Sequence, residues 1–158
     1  MAGSMWLKID GIEGEANDDG HQKEIDIESY GWGVVHPVSS RGGGGSAGEA
    51  SAQELHVTKH IDKASFNLMK LCFNGKHMDK VLLTVRKRGE SPIDFVKYTM
   101  KNALVSSWNQ NGAADVPGME SVAFSFDAVE TEYTPQGADG KAGGAVTAKW
   151  DLKKNKEG

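Results

Sequence analysis

Two histidines, His56 and His60, stand four residues apart and are the first candidates for metal chemistry. On a helix, residues at this spacing are neighbours on one face. The residues between them, Val57 and Thr58, favour a strand, in which four residues span about 13 Å. One ion cannot bridge that distance, so the sequence predicts no metal site here.

The sequence gives no better support for a nucleophilic thiol, a phosphate-binding loop or an acid–base pair. Cys72 is the only cysteine, and it lies on the apolar side of a predicted helix, where a buried and inert thiol is the default. The four glycines that begin at Gly42 are not followed by the Gly-Lys-Ser/Thr signature of a phosphate loop. The carboxylates fit solvated loops and strand faces better than an acid–base pair, among them Asp18, Asp19, Glu130 and Glu132. We therefore predict that the chain is not an enzyme and takes no cofactor.

The composition excludes several other classes of protein. The chain of 158 residues has 18 basic and 22 acidic residues, so its net charge is -4 and no basic footprint for nucleic acid dominates. No run approaches the ~18 apolar residues of a membrane helix, and a single cysteine allows no internal disulfide. The first residues show no signal peptide, which suggests synthesis in a reducing cytoplasm. We expect one domain spanning residues 1–158.

The pattern of apolar residues indicates a mainly β protein. Alternation with period two predicts about seven or more strands, in residues 5–9, 24–35, 54–59, 81–86, 93–108, 122–133 and 146–153. The region 93–108 is expected to be bent or bulged. Strands in that number, each with one apolar face, must close into a sandwich or a barrel.

One segment, residues 65–74, has helical spacing instead, with Phe66, Met69, Cys72 and Phe73 on its apolar side. Ser65 or Asp62 can cap its start, and Gly75 can supply the left-handed residue that ends it. The predicted core combines this helix with the strands and comprises Leu83, Val85, Phe124, Phe126, Trp150, Met69 and Phe73.

Glycine marks two further features. Residues 42–48 and 137–144 are too rich in glycine to be element interiors and are predicted to be long loops. In the strand near Trp32, the small residues Ser29, Gly31 and Gly33 share one face, while Tyr30, Trp32 and Val34 share the other. A bare strand face marks close approach by another backbone or a ligand, or else a bend or bulge, and the sequence leaves both readings open.

Several ordered segments carry a resemblance to a known family. They cover nearly the whole chain and comprise residues 7–15, 21–27, 32–33, 58–65, 67–69, 104–107, 133–136 and the strand around Trp150. In these segments the chain resembles Hcp, the hemolysin-coregulated protein that builds the inner tube of the bacterial type VI secretion system. The resemblance implies a compact two-sheet β-barrel with one short flanking α-helix and a long glycine-rich loop, similar to phage tail-tube proteins.

The resemblance also implies a function and partners. Six subunits would form a ring, the rings would stack into a hollow tube, and the tube would carry effector proteins in its lumen, contact spike and sheath components, and be secreted itself. The loop of residues 38–52 is the expected ring-to-ring contact, at Gly42, Gly43, Gly44, Gly45 and Ser46. Ser29, Gly31 and Gly33 would form a close-approach or lumen-facing strand. The alternative is a monomeric β-barrel that binds or chaperones a partner, and a hydrolase ranks third.

Overall fold

A computed structural model describes residues 4–38, 48–89 and 91–158 of the chain. Over these ranges the backbone forms eleven strands and one ten-residue helix. In chain order the elements are β1 (Ser4–Ile9), β2 (Ile25–Ile27), β3 (Ser29–Gly31), β4 (Val34–Val35), β5 (Ser51–Ala52), β6 (Leu55–His60), α1 (Ser65–Asn74), β7 (Met78–Lys87), β8 (Ile93–Ala113), β9 (Val116–Ser125), β10 (Ala128–Tyr133) and β11 (Val146–Asp151).

Nine of the eleven strands form two antiparallel sheets that share one long strand, and β4 and β5 pair with each other separately. The first sheet contains β2, β1, β7, the first half of β8, β10 and β11, and the second contains the rest of β8, β9, β6 and β3. Residues 25–31 pair with β1 through β2 and with β6 through β3, so one short segment contacts both sheets. This mainly β architecture with one helix confirms the predicted fold class.

The shared strand β8 turns the corner between the sheets at Asn102. Its first half pairs with β7 and β10, and its second half pairs with β9. Asn102 has a φ of 48°, in the left-handed region that asparagine tolerates better than most residues. Its side-chain amide donates a hydrogen bond to the carboxylate of Asp127, and the register with β9 shifts after Val105. The predicted bend of this strand is confirmed.

The core confirms part of the predicted set and corrects the rest. Leu83, Phe124 and Phe126 are buried, whereas Trp150 is 39% exposed and Phe73 is 84% exposed. Trp150 lies on β11, which in the described part of the chain pairs with no strand but β10 and so stands at the margin of the first sheet. The remaining predicted core residues, Val85 and Met69, are half-buried.

The helix is where it was predicted, but it is turned by about one residue. Its buried stripe consists of Ala64 and Leu68, with Leu71 and Cys72 packed partly against the core. This is the i, i+4, i+7, i+8 stripe of a half-buried helix. Phe66 and Phe73 lie outside that stripe and are therefore exposed.

The ends of the helix differ in how they are held. Gly75 ends it with a φ of 64° and donates its N–H to Leu71 O at 3.1 Å, as predicted. No side chain caps the start at Ala64. Instead Asp62 Oδ1 accepts the N–H of Ala64 at 2.9 Å, and Ser65 Oγ accepts the N–H of Asp62 at the same distance. These two side chains form the turn that precedes the helix.

A buried ion pair ties that turn to the sheet. The side chains of Lys59 on β6 and Glu120 on β9 are both 0% exposed, and Lys59 Nζ lies 2.9 Å from Glu120 Oε2. The same ammonium group lies 2.9 Å from Asp62 Oδ1 and 3.3 Å from Ser65 Oγ. The other oxygen of Glu120 accepts a hydrogen bond from Gln110 on β8 at 3.1 Å. The network therefore joins three strands to the start of α1.

Candidate functional site and assembly surfaces

The outer face of the second sheet is paved with small polar side chains. In the register of the sheet, Ser29 on β3 lies beside Thr58 on β6, Thr58 beside Ser121 on β9, and Ser121 beside Asn109 on β8. The hydroxyls of Ser29 and Thr58 are hydrogen-bonded to each other. A second row contains Gly31 and His56. We call these six residues the polar face.

The charged residues at the margins of the polar face are paired. Glu28 Oε1 lies 3.2 Å from Nε2 of His60, and Glu54 Oε2 accepts a hydrogen bond from the hydroxyl of Ser106. The polar face itself contains no lysine, arginine or carboxylate. Apart from His56, the polar face consists of short, uncharged residues, which offer few strong contacts to another protein.

The two glycines predicted to mark a close approach stand in different surroundings. No atom lies within 4 Å of the position a Cβ would take at Gly31, so that face is open. At Gly33, Gln53 Oε1 lies 2.9 Å from that position, and the N–H of Gln53 donates to Gly33 O at 2.7 Å. Ser29 and Gly31 therefore share the polar face, whereas Gly33 lies against its own chain.

The opposite side of the same segment is packed. Trp32 makes edge contacts with Tyr98 and Phe126, at ring-centroid distances of 5.6 and 6.1 Å. Tyr30 also lies 5.6 Å from Tyr98. The aromatic side chains Tyr30 and Trp32 therefore face inward, and the side of the segment that carries Ser29 and Gly31 faces outward.

The hairpin of β10 and β11 carries a second unusual surface. Val129 faces the core and pairs with Trp150, and the next pairs on that side are Thr131 with Ala148 and Tyr133 with Val146. Although this is the core-facing side of the sheet, Tyr133 is 49% exposed and Val146 is 64% exposed. We call Tyr133, Val146, Ala148 and Trp150 the apolar strip. Among the described residues, β10 is the only strand that pairs with β11. On its other edge Asp151 forms a bridge with Lys156, and within the described chain that edge is unpaired along residues 146–150.

The other side of the hairpin is charged. Glu130 Oε1 lies 2.6 Å from Lys101 Nζ and 3.6 Å from Lys149 Nζ. The hydrogen bond from Lys101 lowers the pKa of Glu130 and outweighs the effect of burial. The hairpin is thus amphipathic, with an apolar side and a salt-bridged side, as the alternation of its sequence predicts.

A buried histidine forms a cluster that the sequence did not reveal. His21 is 7% exposed and stacks on Trp6, with ring centroids 4.1 Å apart and an angle of 7°. Its Nδ1 faces the carboxylate of Glu24, and its Nε2 lies 2.9 Å from Asp94 Oδ2. Because His21 and Asp94 are 73 residues apart, no local spacing could have indicated the pair.

Arg86 completes this cluster. It donates hydrogen bonds to Asp94 at 2.8 Å and to Asp18 at 2.7 Å, and its guanidinium lies 4.7 Å from the ring centroid of Trp6. Burial raises the pKa of Asp94, but the hydrogen bonds from Arg86 and His21 outweigh it, so the pKa is lowered overall. The described contacts of His21 include no serine or cysteine that it could activate as a nucleophile. The cluster holds the segment before β2 against β1, β7 and β8.

The remaining sequence predictions have mixed outcomes. Gly42, Gly43, Gly44, Gly45 and Ser46 lie outside the described residues. His56 and His60 lie on a strand, as expected. Within the part of the chain that the structure describes, no group of three or more metal-ligating side chains is found, and no helix is long and apolar enough to cross a membrane.

Comparison with known proteins assigns the chain to a family. Residues 6–133 match the family model described as type VI secretion system effector, Hcp. The chain is 40% identical to protein hcp1 of Pseudomonas aeruginosa over 159 residues, covering 98% of each. It is also similar to the crystal structure of Hcp1 from Salmonella typhimurium, with a TM-score of 0.84, 38% identity and 99% of both chains covered.

A further solved structure, titled as that of a type six secretion system protein, has a TM-score of 0.92 at 30% identity and covers 98% of this chain and 99% of its own. The relative and the two solved structures match over nearly the full length, and the family model matches residues 6–133. The chain therefore belongs to the Hcp family of type VI secretion system tube proteins.

Proposed function

We propose that this chain is a structural subunit of the inner tube, forming six-membered rings that stack into a hollow tube. It acts as a building block and carrier rather than as a catalyst. In this proposal the protein is made in the cytoplasm, binds effector proteins in the lumen of the tube, meets the spike and sheath components, and is then secreted.

The observation that carries the proposal is the apolar strip beside the unpaired edge of β11. Val146 and Trp150 are exposed on the side of the sheet that faces the core, where apolar residues are normally covered. An unpaired strand edge with an exposed apolar side favours pairing with another chain. A contact between this strip and a different surface of a second copy is heterologous, and such contacts form a ring when the rotation from one subunit to the next closes on itself.

The polar face suits the wall of a transport channel. Its serine, threonine, asparagine and glycine residues are short and uncharged, so it offers few strong contacts to a passing protein. We assign Ser29 and Gly31 to the lumen on this ground, and Gly42, Gly43, Gly44, Gly45 and Ser46 to the contact between stacked rings.

Solution mass and electron microscopy test the proposal. The unmodified protein is expected to have a mass near six subunits and to show rings with a central hole. Val146→Glu places a charge in the apolar strip and should yield folded monomers with an unchanged circular dichroism spectrum. Val116→Glu is the matched control, because Val116 is 60% exposed and Val146 is 64% exposed.

Two results would contradict the proposal. A stable monomer at high protein concentration would favour the alternative of a monomeric binding module or effector chaperone. Rings that survive Val146→Glu but not Val116→Glu would move the in-plane contact from the β10–β11 hairpin to the β8–β9 hairpin.

A further inference from the structure

The outward side of α1 exposes two aromatic side chains, although the ring of Phe66 also lies 6.5 Å from that of Trp108. Phe66 is 60% exposed and Phe73 is 84% exposed, while Leu68 on the inward side is 0% exposed. The two phenylalanines are seven residues apart, so they lie on the same side of the helix, about 10 Å apart along its axis. Large exposed apolar groups in a row mark a surface that another molecule covers.

Basic residues outnumber acidic ones in the groove beside this helix, by three lysines to two aspartates. The helix contains no acidic residue, and Lys70, one turn after Phe66, is exposed. A groove of about 500 Å³ runs between α1 and the ends of β1 and β7, and it is lined by Lys70, Lys76, His77 and Lys80 and by Asp10 and Asp79. Among the described residues, none of the three lysines takes part in an ion pair.

The floor of the groove is apolar, since Ile9, Ile12, Leu71 and Met78 also line it. Apolar anchors at helical spacing, an apolar floor and unpaired lysines at the rim together fit an amphipathic helix with acidic flanks. The ten residues of α1 extend about 15 Å, enough to lie along three turns of such a helix.

We infer that the outward side of α1 and the adjoining groove form a docking site for an acidic amphipathic helix of a partner protein. Phe66 and Phe73 anchor its apolar side, and Lys70, Lys76 and Lys80 pair with its carboxylates. Asp10 and Asp79 line the same groove and repel carboxylates placed beside them, so they restrict the positions at which the partner can carry acidic residues. The site is separate from the apolar strip and from the polar face, so it does not depend on the proposed function.

The experiment titrates the full-length protein with a synthetic peptide of about 18 residues, made of leucine, alanine and glutamate with leucines at i, i+3, i+4 and i+7. A scrambled peptide of the same composition and a peptide with lysine in place of glutamate serve as comparisons. Binding is followed by calorimetry and by the fluorescence of Trp108, whose ring lies 6.5 Å from that of Phe66. Trp108→Phe identifies the part of the signal that comes from this residue.

The acidic helical peptide is expected to bind, and both comparison peptides to bind far more weakly. Phe73→Ala should weaken binding about tenfold, as expected for loss of a buried aromatic anchor. Lys70→Glu should weaken it about threefold to tenfold at low salt, and the difference should shrink as salt screens the charges. Val116→Ala and Lys154→Glu, on distant exposed positions, should leave binding unchanged.

Several results would overturn the inference. The acidic peptide could bind no better than its scrambled form, or Phe73→Ala and Lys70→Glu could behave like the two control variants. Capture by vesicles of anionic lipid in the absence of peptide binding would assign the surface to a membrane instead. Loss of ring mass in Phe66→Ala/Phe73→Ala would show that a second copy of the chain covers this side of α1.

Discussion

The ion pair between Lys59 and Glu120 offers the sharpest test of how the helix is held to the sheet. Both side chains are 0% exposed, and Lys59 Nζ also contacts Asp62 at 2.9 Å. Removing one partner of a buried pair leaves the other charge without compensation, which costs about 3–5 kcal/mol. Lys59→Met should therefore lower the free energy of unfolding by this amount. For a chain of this size, the midpoint of thermal unfolding should fall by about 6–20 °C.

Replacing both charges is expected to cost much less than the sum of the two single changes. Lys59→Met/Glu120→Met removes both buried charges together, and apolar replacements of buried pairs are often neutral or stabilising. Glu120→Gln alone should cost about 1–3 kcal/mol, because Asp62 still compensates the ammonium group. The matched control is Lys63→Met, since Lys63 is 52% exposed in its pair with Glu13 and should shift stability by less than about 0.5 kcal/mol.

Urea unfolding followed by circular dichroism measures these changes. The proposed ring formation would add to apparent stability, so every variant is compared at one protein concentration in the Val146→Glu background. The single variant Glu120→Met completes the comparison. If the effects of Lys59→Met and Glu120→Met add up in the double variant, the reasoning is refuted, because Lys59 and Glu120 would then not act on each other. A loss below 1 kcal/mol for Lys59→Met would refute it as well.

Three further predictions concern other parts of the fold. The pKa of Asp94 is lowered in the folded state, because hydrogen bonds from Arg86 and His21 outweigh burial. The contribution of Asp94 to stability is therefore present above the ordinary pKa of 3.8 and is lost as pH falls through the lowered pKa. Asp94→Asn should accordingly flatten the acid side of a plot of melting temperature against pH. Gly14→Ala should strongly destabilise the protein, because a Cβ there would lie 2.4 Å from Glu24 O, whereas Gly31→Ala should unfold at the same urea concentration as the parent, since that position is open. Deleting residues 42–48 should weaken the stacking of rings into tubes more than closure within a ring, and the subunit should still fold, since loop length alters closure entropy only slowly. Loss of rings with folded monomers in sedimentation would assign the loop to the in-plane contact, and unchanged tubes would show that it serves neither contact.

Local features of the sequence were sufficient where neighbours along the chain decide the structure. Helical spacing between Ser65 and Asn74 and a glycine at 75 specify where the helix begins and ends, because hydrogen bonds within one segment and the left-handed preference of glycine set these points. Period-two alternation likewise located most strands, and the resemblance of ordered segments identified the family. The bend in β8 could also be predicted, although not its position at Asn102.

The tertiary structure decided whether the apolar side predicted for an element is covered by another element. The sequence predicts an apolar side for β11 and for α1, but coverage depends on which element lies opposite. Trp150 is partly exposed because β11 lies at the margin of its sheet, and Phe73 is exposed because the helix turns Leu68 inward.

Long-range pairs were also beyond the reach of local patterns. Lys59 and Glu120 occupy inward positions of their strands, and that alternation was the one signal that could have indicated a buried pair. His21 meets Asp94 across 73 residues, and no spacing records such a contact. Composition and local order therefore determined the elements and the family, whereas the buried charges and exposed apolar surfaces were determined by which strands and helix the fold brings together, since burial is a property of neighbours in space.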